Sequence, residues 1–206
     1  MNKLAKLAAA LLALASVNVA QAVSFDYSNI EGSFINFTGD GNFNFNGGPN
    51  LEITSGPLSG LLGAVEGTFT IGAGVNSAAV SGNGMFSIDD GMGNWFTADL
   101  VWVDIFRAGA AGGLNFNSSV NLTNFSYAGA NATLLELLND GSAINTLTFQ
   151  FAATGDLNNL RNVAQETSFS GTVSSVTRQV PDGGTTAALL GLGLVGMSFI
   201  ARRRLA

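Results

Sequence analysis

"LNFNSSVNLT", Leu114–Thr123, decides the architecture. Leu114, Phe116, Val120 and Leu122 fall on one side of an extended chain, and Asn115, Asn117, Ser119 and Asn121 on the other. A period of two with aromatic and β-branched residues describes a strand with one face in a core and one in water. After Thr123 the alternation slips, with Phe125 and Tyr127 in the odd register, which predicts a bulge or strand end near Asn124.

The same reading extends in both directions. "NFNFN" (Asn42–Asn46) puts Phe43 and Phe45 on one face. "NWFTADLVWVDIFRAG" (Asn94–Gly109) carries Trp95, Val101, Val103 and Ile105 on one face and Phe96, Leu100, Trp102 and Phe106 on the other. With both faces apolar, a long central strand covered on both sides is expected there. Further strands are expected in "VSFDYSN", "GSFINFTG", "GAVEGTFTIGA", "GNGMFSIDD", "NTLTFQFAA" and "ETSFSGTVSSV". Helical spacing is confined to two places. "NATLLELLND" fits either a helical turn or a buried strand, and "GDLNNLRNVAQ" (Gly155–Gln165) offers Asp156 as an N-cap.

Short strands punctuated by Gly and Asn turns predict an all-β fold, an antiparallel β-sandwich or jelly-roll-like body over residues 23–179. Alternating segments are also the signature of an outer-membrane barrel, the second architecture the pattern allows.

Both ends differ from the body. "MNKLAKLAAALLALASVNVAQA" has Lys3 and Lys6, an apolar run from Leu7 to Ala15, and small residues at Ala20 and Ala22. That order is a secretory signal peptide, residues 1–22, with the mature chain starting at Val23. At the other end, Val180-Pro181-Asp182-Gly183-Gly184 is turn chemistry, since proline lacks a donor and paired glycines resist regular structure. From Ala187 to Ala201 every residue is apolar or small except Ser198, and Arg202, Arg203 and Arg204 follow. Fifteen helical residues span about 22 Å, and Thr185, Thr186 and a snorkelling Arg202 lengthen this toward the lower limit for a bilayer. A single transmembrane helix over 185–201 is therefore expected. The arginines hold the C-terminus in the cytoplasm and leave the body outside.

This order of turn motif, short glycine-rich apolar helix, arginine cluster and terminus resembles the PEP-CTERM sorting tails of Gram-negative bacteria, here over residues 180–206. The usual Pro-Glu-Pro is replaced by Pro181-Asp182-Gly183, similar to a VPD variant followed by Gly or Ser. The resemblance implies a membrane-embedded exosortase-type enzyme that recognises Val180–Gly184 and releases the protein from its anchor. It also implies a destination at the cell surface, with exopolysaccharide as a further partner.

Composition narrows the chemistry of the body. The 206 residues contain no His and no Cys, which removes Ser-His-Asp and Cys-His catalysis, disulfides and His or Cys zinc sites. Between the ends stand Arg107, Arg161 and Arg178 against thirteen acidic residues, a net charge of −10. Phosphate neutralisation needs Lys or Arg, so nucleic acid and anionic lipid are poor partners. Glu31, Glu52, Glu66, Glu136 and Glu166 are the glutamates from which a glycosidase pair would come, but no two are singled out. Asp89, Asp90 and Asn94, and separately Asp40 and Asn42, supply oxygens around glycine turns without matching a twelve-residue calcium loop. Trp95, Trp102 and Tyr127 are the aromatics that could face a glycan, Trp102 fitting a core better. The expectation is an exported, non-enzymatic surface or matrix protein without catalytic residues, metal or cofactor. A carbohydrate-binding module is the alternative, and a secreted glycoside-active enzyme a third.

Overall fold

The computed structural model describes residues 22–108, 115–151 and 156–176, all within one unit, Ala22–Val176. The expected helix over 185–201 lies outside these residues. Among the described residues no helix is long and apolar enough to cross a membrane. The strands are β1 Ser24–Asn29, β2 Ile35–Phe37, β3 Asn42–Phe45, β4 Leu51–Ile53, β5 Leu62–Ile71 and β6 Ser77–Asp89. They continue with β7 Trp95–Ala108, β8 Asn115–Ser126, β9 Ala143–Gln150, β10 Gln165–Thr167 and β11 Phe169–Ser175. Among the described residues two helices, α1 Ala132–Asp140 and α2 Leu157–Asn162, accompany them.

The body is all-β and antiparallel, but its strands form a closed ring where two stacked sheets were expected. The order β4-β1-β11-β9-β8-β7-β6 is joined to β5 at both ends, through β4–β5 and β5–β6. This eight-stranded barrel replaces the sandwich. Alternation cannot separate the two, because both put every second side chain into a core. Closure needs strong local coiling, and glycines supply it. Gly67 and Gly82 have φ of 136° and 129°. A Cβ on Gly67 would stand 2.7 Å from Asn83 O, so only hydrogen lets β5 and β6 approach there. The Phe69 ring covers this glycine stretch in place of the missing side chains.

Apolar residues point inward and Ser, Thr, Asn and Asp outward, as β1 shows with Phe25 and Tyr27 buried and Ser24 and Asp26 exposed. That sense is the reverse of a barrel facing lipid, so the second architecture is corrected as well. The interior holds Phe43 against Phe69 and Trp102 at 5.2 and 4.9 Å, and Phe116 stacked on Phe149 at 5.5 Å.

Strand β7 is covered on one side only. Trp95, Val101 and Val103 are exposed, whereas Phe96, Leu100, Trp102 and Ile105 are buried. Register slips between Trp102 and Asp104, and the unpaired Val103 moves Ile105 to the inner face. The slip expected near Asn124 is present: Asn124 has φ 53° and sits in a bulge opposite Ala98.

Strand β5 forks. Its Leu62 and Gly63 pair with β4, and its Thr68–Thr70 segment pairs with β3, which leads to β2 and β10 as a flap. Asn50 fills the gap between the branches. Its buried side-chain amide donates to Val65 O at 2.8 Å and accepts from Val65 N at 2.9 Å, as a strand backbone would. The flap carries Phe37 and Phe45 to within 5.5 Å of Phe149 and 5.0 Å of Phe169. Helix α1, between β8 and β9, is capped by Asn131 and Gly141 and buries Leu134 and Leu137. Helix α2 starts at the expected cap, Asp156, whose side chain accepts from Asn159 N, and buries Leu157 and Leu160. Each helix thus packs into an open end of the ring, α1 at the pole where β1 begins and α2 at the other.

Candidate functional site

The residues expected to be processed attach to the body at one place. Ser24 pairs with Ser174, so the start of β1 lies beside the end of β11. Val23 N donates to Ser175 Oγ at 2.9 Å, and Ser175 N donates to Val23 O at 2.8 Å. Ala22 and Val176, the last described residues on either side, are both exposed. Ala20, Val180, Pro181, Asp182, Gly183, Gly184, Arg202, Arg203 and Arg204 lie outside the described residues.

At the same pole, the β6–β7 turn gathers the residues that were read as a calcium candidate. Asp90 Oδ1 accepts from Met92 N at 2.8 Å and Asn94 N at 3.0 Å. Its Oδ2 accepts from Asn94 Nδ2 at 2.9 Å and Tyr127 Oη at 2.8 Å. Burial pushes this carboxyl up, but the donors from Asn94, Tyr127 and Met92 outweigh it and hold the pKa down to about 2. Tyr127 Oη in turn accepts from Asn131 N at 3.0 Å, and Asn131 Oδ1 caps α1 at Thr133 N and Leu134 N. The carboxylate thus spends its lone pairs on tying the turn to the helix. Gly129 completes the arrangement, since a Cβ there would overlap Tyr127 Oη and Asp90 Oδ2. The second cluster is also internally bonded: Asp40 accepts from Thr38 Oγ1 and from Asn42 N, and its pKa is lowered by those bonds. Among the described residues no group of three or more Asp or Glu is placed to hold a metal.

Of the aromatics, Trp102 is in the core with Nε1 donating to Asp104 O at 2.9 Å, and Tyr127 is buried in the turn network. Trp95 is 46% exposed. Glu31, Glu52, Glu66, Glu136 and Glu166 are all exposed; Glu31 lies in the turn between β1 and β2, and the others on β4, β5, α1 and β10. Asn50 and Gly129 were not visible as special in the sequence, because each acts through a group brought in by the fold.

No curated protein and no solved structure matches the chain. A family model does, at the C-terminus: the VPDSG-CTERM motif, over residues 179–205. Gly183 stands where that motif has Ser. The match spans the turn, the apolar run and the arginines, and the chain therefore ends in a VPDSG-CTERM motif, a sorting segment of the PEP-CTERM type.

Proposed function

We propose that this is an exported, non-enzymatic protein of the cell surface or extracellular matrix, held briefly in the inner membrane and then processed by an exosortase-type enzyme. The observation that carries the reading is the sorting motif at residues 179–205. In this reading signal peptidase cuts after Ala22, residues 185–201 hold the chain in the bilayer, and Arg202–Arg204 keep the terminus cytoplasmic. The barrel supports a scaffold role through its polar outer wall. The row Asp26, Thr172, Thr146 and Ser119 runs across four strands, and Asp26 accepts from Thr172 Oγ1 at 2.6 Å.

Intact mass of the mature protein tests this, from wild type and from a strain lacking the candidate exosortase. The expected product has lost residues 1–22 and everything beyond about Pro181. A tail retained in wild type would reduce sorting to plain anchoring. Exposed Trp95 favours a second reading, a carbohydrate-binding module. Pull-down on the organism's own polysaccharide, repeated with Trp95→Ala, separates the two: retention that depends on Trp95 favours the module.

A further inference from the structure

The register of the ring sorts the exposed apolar residues by height. Strand β1 begins, and β11 ends, at the pole that also holds the β4–β5 loop, the β6–β7 turn and α1. Six of the exposed large apolar residues belong to this pole: Leu62, Met92, Trp95, Leu135, Ile144 and Val176. Among the described residues the opposite pole has Val75 and Val163, and the wall between has Met85, Val101 and Val103. Met92 is 86% exposed at the tip of a turn whose carboxylate is fully occupied in holding it out. An apolar rim that includes a tryptophan is the composition of a membrane–water interface.

Chain length says what the rim meets. Only residues 177–186, ten in number, separate Val176 from the apolar run beginning at Ala187. Fully extended they reach at most about 35 Å. Strand β5 alone is 10 residues long, about 33 Å. Tilted by about 35–45° in the barrel, that strand still rises about 23–27 Å, so presenting the far pole to the bilayer would consume most of the linker, whereas presenting the near pole needs little of it.

We propose that the pole from which both chain ends leave is a lipid-seating face, which rests Trp95, Met92 and Leu135 in the interfacial layer of the bilayer before the tail is processed. This rests on the reading that residues 185–201 anchor the chain. The lipid is zwitterionic, because Asp89, Glu136 and Asp140 also lie at this pole and oppose an anionic surface.

The test uses the full chain in phosphatidylcholine vesicles whose acyl chains carry bromine near the headgroup. Trp95 and Trp102 are the two tryptophans, and Trp102 is buried. The expected result is that the chain floats with the vesicles and loses emission relative to unbrominated lipid. Trp95→Phe abolishes that loss, and Met92→Glu with Leu135→Glu weakens it without changing flotation. Flotation with no bromine-dependent loss overturns the seat and leaves the anchor intact. Failure to float removes the anchor, and the seat with it. Trp95 shielded from aqueous acrylamide yet insensitive to bromine would mean that a protein covers the rim, which also overturns the proposal.

Discussion

Asp90 ties the β6–β7 turn to Tyr127 and, through the Tyr127 hydroxyl, to the start of α1. Its folded pKa of about 2 lies below the roughly 3.9 of an unfolded aspartate. A depressed carboxyl contributes stability that is complete above the unfolded value and is lost as pH falls through the folded one. Acid unfolding should therefore steepen between about pH 4 and pH 2. Asp90→Asn should flatten that limb while lowering stability at neutral pH, as thermal melts across the range would read. Asp-Gly turn chemistry at residues 90–91 was legible. The hydroxyl of Tyr127, 37 residues away, was not, because nothing in its own neighbourhood marks it as a partner. Read alone, the oxygens looked like a cation site; read with their donors, they are a brace.

Bulges and the fork show what an element needs beyond alternation. Asn124 has φ 53°, where a β-branched side chain is strained. Asn124→Gly should leave stability nearly unchanged, with loss of the Asp99 contact at 2.7 Å offset by relieved strain. Asn124→Val should cost about 1–2 kcal/mol, measurable by urea unfolding. Asn50→Ala should be more damaging. It leaves the buried Val65 N–H and C=O without partners, at about 1–3 kcal/mol for each group. The midpoint should fall with the m-value unchanged. Most strands could be read from the period of two, and the slip at Asn124 announced its bulge. The Val103 bulge was hidden because both phases of β7 are apolar, so a change of phase left no mark. Strand β4, three residues long, is too short to show a period.

For the whole molecule, all-β and antiparallel was legible, but ring or sandwich was not. The difference lies in which strands pair across the chain, and side-chain polarity records only which way each residue points. The sorting motif was more legible than the body's task, because such tails are read as linear sequence while binding faces are assembled. Replacing Arg202, Arg203 and Arg204 with neutral residues should impair membrane retention before processing. Fractionation unchanged by the substitution would count against the assigned orientation.

The seam between the first and last strands of the ring also sets a schedule. Val23 is 5% exposed and its amide is bonded to Ser175, so the Ala22–Val23 bond is hard for a peptidase to grip once the ring has shut. The partner strand, however, is 150 residues further along. In the proposed export route, synthesis at about 5–20 residues per second brings it out roughly 8–30 s after residues 1–22. During that interval the Ala22–Val23 junction has nothing to dock against and would stay open to the proposed cleavage. The proposed removal of residues 1–22 would therefore come before closure, and a chain not cut in time would carry the Ala22–Val23 bond against the β1–β11 seam.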